Sequence, residues 1–389
     1  CRALGHEPPA PGVVHFTARS DALAIKWERH GEFSGFTLTA PGLGSSPFGD
    51  LPTRLLPPGW LAALPGRTIV ASHAQVVPEA LVQSDAEFLS RQFGEQIVVG
   101  GDVGEQSGTA YTDFRIRDDG YSRFVLVNRD LTPRQTGRML QRLFDIETYR
   151  TVALLALPLA RQQSTQLDAT EAALVDVTAS IAAESGDDEA LLGRLTRLAA
   201  EVESAIAAGQ FRYNACRAYG QLVTMRIAEL RETRVAGIQP IGEFMARRFT
   251  PGLATCAAVA QRLHDLSQRV ARASGLLSTR VDIARERQNI ALLASMDRRA
   301  KLQLRLQETV EGLSVAAIVY YAAGLVGYLA KAARSIDPRI EPEVVAGCSV
   351  PLLVVLVVAA TRRARRRARA ADPAPNQPSG EPPGTRSAR

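Results

Sequence analysis

Two apolar runs near the C-terminal end constrain this chain more than any other feature. Residues 312–330 read GLSVAAIVYYAAGLVGYLA and residues 344–360 read VVAGCSVPLLVVLVVAA; neither holds a charged side chain. As helices they are about 25–28 Å long, close to the thickness of a bilayer core. Immediately after the second run stand Arg362, Arg363, Arg365, Arg366, Arg367 and Arg369. Basic residues flanking a span hold that flank in the cytoplasm. The pattern predicts a transmembrane hairpin with both chain ends cytoplasmic. The competing reading, a buried helical hairpin of a soluble protein, leaves the arginine cluster without a purpose.

The rest of the composition fits a large water-exposed part carrying a small anchor. Of 389 residues, 46% are hydrophobic, and the mean hydropathy is near zero. The net charge of +6 equals the charge of the arginine cluster alone. Basicity is therefore local, and no nucleic-acid partner is expected. Cys1, Cys216, Cys256 and Cys348 have no CxxC spacing, which fits a reducing compartment and offers no metal site. The chain opens on Cys1 rather than Met. That fits either a clipped sequence or an acylated lipoprotein terminus, and the two-span topology favours the former.

Proline is absent between Pro251 and Pro338. A helix opened by Pro251 and unbroken into the first span would cover about 80 residues, or about 120 Å. Such a helix is expected to act as a packed stalk. Leu263, Leu266, Val270, Ala273 and Leu277 keep a partial coiled-coil spacing, which Arg280 and Arg287 interrupt. Leu302, Leu306, Val310 and Leu313 resume a stripe at helical spacing.

Upstream, residues 1–131 read as an α/β domain with five or six strands in a mixed sheet. Asp118-Asp119-Gly120 is a hairpin signal between runs at 110–117 and 121–128. Pro78 to Phe93 reads as helical, and 41–66 as a long loop rich in Pro and Gly. Thr132-Pro133 is a helix start that predicts a helix to about Leu157, stopped by Pro158. Helices are also predicted over 167–209, broken near Ser185-Gly186, and over 212–235 and 241–249. The predicted organisation is an α/β domain (1–131), a helical region (132–250), a stalk helix (251–311), a first span (312–330), an outer loop (331–343), a second span (344–360) and a basic, disordered tail (361–389).

The first span holds Tyr320, Tyr321 and Tyr328, of which Tyr328 suits an interfacial belt on the outer side. Gly312, Ala316, Ala323, Gly324 and Gly327 are small enough for close helix approach. They fit an oligomerising, pore-lining helix and ordinary lipid-facing content equally. Pro351 interrupts the second span. Glu308 and Glu311 lie one turn apart before the first span, where acids collect cations at a membrane mouth or pair with Arg305 along the helix.

Chemistry-bearing candidates elsewhere are few. KWERHGEF (26–33) is the densest polar cluster of the α/β domain. On a strand, Lys26, Glu28 and His30 share one face and Trp27 and Arg29 the other. Glu28, His30 and Glu32 have the chemistry for a divalent cation or for acid–base work; paired surface charges at a strand end are the plainer reading. Residues 100–104 supply glycines without a Walker lysine. There is no GxSxG, HExxH or HxxxH. No cofactor and no catalytic residue is expected.

KWERHGEF (26–33), RLFDIETYRTVALLALPLAR (142–161), RRFTPGLATC (247–256) and the long stretch 274–321 resemble a bacterial family of membrane-anchored proteins known only as a domain of unknown function. The resemblance runs from near residue 6 to about 360 and implies a location in the bacterial inner membrane. It brings no catalytic residues with it. The architecture is also similar to that of CorA-type magnesium transporters: a cytoplasmic α/β domain, a long stalk helix running into the first span, a short outer loop, a second span and a basic end. That likeness implies a homo-oligomer and divalent-cation transport. The Gly-Met-Asn signature of those transporters is replaced here by Gly327-Tyr328-Leu329-Ala330. The expected function is thus a membrane-anchored protein of undefined activity, with a divergent cation transporter and a membrane-tethered enzyme using Glu28 and His30 as alternatives.

Overall fold

The structure is a computed structural model and describes residues 1–42, 48–82, 84–334 and 341–370. Part of the expected loop at 41–66, residues 335–340 of the expected outer loop and the proline-rich end of the tail lie outside the described residues. The chain divides into two compact units, Cys1–Arg280 and Val281–Arg389.

The α/β part of the first unit holds two sheets where the sequence suggested one. β1 (His15–Arg19), β2 (Ala24–Arg29) and β3 (Ser34–Thr39) form an antiparallel meander. β4 (Ser72–Pro78), β5 (Val99–Val103), β6 (Gly108–Thr112) and β7 (Ser122–Asn128) form a second sheet in the order β4-β7-β6-β5. Only β4 and β7 run parallel, which makes this sheet mixed. The division follows side-chain pattern. β2 alternates polar and apolar residues, as a strand with two different faces must. Phe124, Val125 and Leu126 of β7 are consecutive and fully buried, as in a strand covered on both sides.

α1 (Asp85–Phe93) starts later than expected, because Pro78 still belongs to β4. The hairpin between β6 and β7 is also longer than the Asp-Asp-Gly signal suggested. Pairing ends at Thr112 opposite Phe124. Asp113 then turns its buried carboxylate onto its own loop, accepting from the Arg115 backbone N–H at 3.2 Å and from Arg117 at 2.6 Å. Gly120 takes φ 81° at the tip.

The helical part of the unit begins at Thr132 with a complete capping box. Its hydroxyl accepts from the Gln135 N–H, and its own N–H donates to Gln135 Oε1. α2 (Pro133–Leu154) gives way to α3 (Ala156–Ala182) at Leu155. Pro158, expected to stop a helix, sits in the first turn of α3, where its missing N–H costs no hydrogen bond. α4 (Asp188–Leu230) runs through the break expected near Gly209. A Cβ on Gly209 would lie 2.5 Å from the Tyr213 ring, one turn on in the same helix, and 3.1 Å from Gln163 Oε1 of α3, so the glycine makes room for that ring and its neighbour. Arg231, at φ 51°, ends the helix. α5 (Ile241–Arg248) and α6 (Thr250–Arg334) follow.

The partial heptad of α6 is core. Leu263, Leu266, Val270, Ala273 and Leu277 are buried with Leu174 and Val177 of α3 and Leu195 and Val202 of α4. Arg280 interrupts it for a reason. Its guanidinium donates to the Ile181 carbonyl at 3.1 Å and pairs with Asp188 at 2.9 Å, closing the end of the bundle. Cys216 and Cys256, far apart in the sequence, interact within this core. Burial, and then Cys256, push the Cys216 thiol up to about 12.

The glycines at 100–101 have a packing role. Gly100 N–H donates to Gln239 O at 2.9 Å, and Asp102 exchanges backbone hydrogen bonds with Thr233. A Cβ on Gly101 would stand 2.6 Å from Thr233 O, so only glycine lets this segment close on β5.

The second unit contains the remainder of α6 and α7 (Pro342–Ala370), with Pro351 inside α7. The two helices pack at Gly327, where an added Cβ would lie 3.8 Å from the Ala346 Cβ.

Leu195 is fully buried, whereas Phe211 of the same helix is 64% exposed. Leu195→Ala should cost about 2–5 kcal/mol and Phe211→Ala no more than about 0.5 kcal/mol. Denaturant unfolding followed by circular dichroism checks the contrast.

Candidate functional site

The polar face of β2 meets the helices at the densest array of charges in the first unit. Lys26 Nζ pairs with Glu28 at 2.8 Å and reaches Gln141 of α2 at 3.5 Å. Beyond the strand, the His30 N–H donates to Phe33 O at 2.8 Å and closes the turn to β3. The His30 ring stacks on Phe33, with centroids 4.5 Å apart. Glu32, at the turn, pairs with Arg212 of α4. Phe33 in turn approaches Tyr219, which stacks on Tyr149 at 5.6 Å. Two of the motifs singled out in the sequence, KWERHGEF and RLFDIETYR, are therefore neighbours in space.

Behind this turn runs an alternating chain of charges. Arg226 Nε donates to Asp145 at 2.8 Å, and Arg226 Nη1 donates to both Glu229 oxygens at 2.9 and 3.0 Å. Glu229 also accepts from Arg142 Nε at 3.0 Å. Asp145 and Arg142 belong to α2, Arg226 and Glu229 to α4. Burial raises the Asp145 carboxyl above its ordinary value; Arg226 and His30 oppose the rise, and the charge of Glu28 adds to it. Burial, then the charge of Asp145, push the Tyr149 phenol up. Glu229 is held low, first by its hydrogen bond from Arg142. Two residues after Asp145, Glu147 is 3% exposed and takes hydrogen bonds on both oxygens from Arg150 at 2.8 and 2.7 Å. Burial still leaves its carboxyl raised.

Glu28, His30 and Glu32 do not converge on one point. Each carboxylate faces a cation of its own, and the imidazole lies on a phenyl ring. Among the described residues no group of three or more His, Cys, Asp or Glu is disposed to hold a metal ion. Sequence reasoning missed Arg226 and Glu229 as members of this cluster. The charged i, i+3 and i, i+4 spacings of α2 and α4 were visible, but nothing in them says which helix faces which.

The second candidate region is the hairpin of the second unit. Glu308 is exposed on α6, and Glu311 follows on the same helix. Tyr320, Tyr321 and Tyr328 are more than 70% exposed. The Tyr320 and Tyr321 rings meet edge to face at 5.7 Å. Gly312 and Gly324 face open space, whereas Gly327 faces α7. Arg362 and Arg363 are exposed on the last turns of α7, and Arg365, Arg366, Arg367 and Arg369 continue that helix.

The pH dependence of Asp145 has a definite sign. Its folded pKa lies above the ordinary value of 3.8, so the folded state binds the proton more tightly. Its contribution to stability therefore falls as pH rises from the ordinary value to the raised one, and is flat above. Asp145→Asn should remove that slope. Arg226→Met, which leaves a partly buried carboxylate without its cation, should cost about 1 kcal/mol at neutral pH and extend the slope to higher pH. Unfolding curves between pH 3 and 8 check both.

Neither a curated protein nor a solved structure matches the chain. The family described as Protein of unknown function (DUF3422) matches residues 1–368, and the chain belongs to that family.

Proposed function

We propose that this chain is an integral protein of the bacterial inner membrane, held by the hairpin of α6 and α7, with its first unit and both ends in the cytoplasm. The observation that carries this reading is apolar exposure in the second unit. Leu313, Leu325, Leu329, Leu352 and Val355 are each more than 60% exposed. The helices bearing them are long and apolar enough to cross a bilayer. Water does not tolerate such a surface, and lipid requires it. Tyr328 suits the outer interface and the arginines after Thr361 the inner one.

Between the bundle and the first span, α6 also leaves Leu302, Leu306 and Val310 exposed. Lipid does not cover a segment flanked by Arg298, Arg299, Lys301 and Arg305. A second copy of the chain is the simplest cover, so the protein works as a homo-oligomer with a coiled-coil stalk.

A divergent divalent-cation transporter is the second reading. It is supported by the unbroken helix Thr250–Arg334, which carries the first apolar run. Such a helix transmits movement of one end to the other.

Three measurements test these readings. Alkaline carbonate should leave the full chain in the membrane and release a chain ending at Arg280; release of both removes the anchor. Reporter fusions after Arg389 and within 335–341 should be cytoplasmic and periplasmic respectively, and the reverse pattern overturns the orientation. In liposomes, absence of flux for every divalent cation tried eliminates the transporter reading.

A further inference from the structure

β2 has a second face, away from the charged cluster. Phe16, Trp27 and Phe36 are register partners across β1, β2 and β3, so their rings stand side by side. Trp60 sets its edge against Phe36 at 5.9 Å and 90°. These four rings, with Ile25 and Leu64, line a cavity of about 440 Å³. That size lies within the range of small-molecule sites, about 300–1,000 Å³. A second cavity of about 310 Å³ shares Leu4, His6 and Ile25 with it and continues past Leu23 and Leu55.

The two spaces adjoin at these shared residues; the first is lined mostly by apolar side chains, and the second mixes Leu23 and Leu55 with His6 and Ser20. Among the described residues no acidic side chain lines either part. Arg29 lies two residues beyond Trp27 on the same strand face and is exposed. The mostly apolar wall of the first space favours a hydrocarbon chain, and a cation beside Trp27 on the same strand face favours an anionic head. We propose that this groove binds an acyl chain carrying a single anionic group, with the chain along the aromatic rings and the head at Arg29. The ligand class is that of a fatty acid or of one chain of an anionic lipid. The proposal is independent of how the second unit meets the membrane.

The chain contains two tryptophans, Trp27 and Trp60, and both line the groove, so its own fluorescence reports occupancy. The experiment uses the full chain in phosphatidylcholine nanodiscs, titrated with a terminally brominated undecanoate whose bromine quenches indole on contact. Saturable quenching is expected. Ala63→Phe, which puts a ring into the cavity from an exposed position, should raise the half-saturating concentration about tenfold or more. Phe36→Leu should act in the same direction, with circular dichroism confirming the fold of both. Arg29→Glu should weaken the acid about two- to fivefold and leave brominated undecanol unchanged. Quenching in discs of brominated phosphatidylglycerol without added acid identifies membrane lipid as the source; its absence, with the acid still bound, identifies a free acid. Quenching that rises linearly and equally in all variants reports partition into the disc and overturns the proposal. Equal binding of the acid and the alcohol by the unaltered chain overturns the anionic head.

Discussion

The first unit depends on Arg226. Its guanidinium stands between Asp145 of α2 and Glu229 of α4, and Glu229 accepts in turn from Arg142 of α2. The charges alternate, so each partly buried carboxylate is held by a cation from the other helix. Removing one member exposes the desolvation cost of its neighbour, which the intact chain conceals. The same helices receive the first sheet, through Lys26 on Gln141 and Glu32 on Arg212. The two helices joined by this alternation therefore also carry the side chains on which the first sheet rests.

β2 then separates two environments across the thickness of one strand. Lys26 and Glu28 look toward the helices, and Ile25 and Trp27 toward the groove. Period-2 alternation makes this possible. It also means that a one-residue slip of register would put charges into the aromatic groove and rings into the charge array. Two short turns, Asp21-Ala22 before β2 and Gly31-Glu32 after it, hold the register on both sides. The Ser20 hydroxyl, which donates to Leu23 O at 3.0 Å, ties the first of them.

The second unit follows a different rule. In the first unit the apolar residues of α6 are buried against α3 and α4, and a charged residue, Arg280, ends the pattern. Past Val281 most of the large apolar residues of the same helix are exposed, Val319 being buried, and the helix meets Ala346 of α7 at Gly327. One helix thus buries its apolar residues in a protein core at its start and exposes them near its end.

Helix starts, strand alternation and apolar runs are local, and the sequence by itself determined them. Thr132-Pro133 announced α2, Pro251 announced α6, the spacing from Leu263 to Leu277 marked a buried stripe, and the uncharged runs at 312–330 and 344–360 marked the hairpin. Pro158 and Gly209 misled for local reasons. A proline in a first turn extends a helix as readily as it stops one, and a glycine in a helix is tolerated where a neighbour comes close. Only the tertiary structure decided which elements face each other. The division into two sheets, the meeting of Cys216 with Cys256, the closure of Thr233 on Asp102 and the assembly of Asp145, Arg226 and Glu229 behind Glu28 and His30 join residues distant in the chain. Each depends on the summed burial of many side chains, a quantity that no single segment carries.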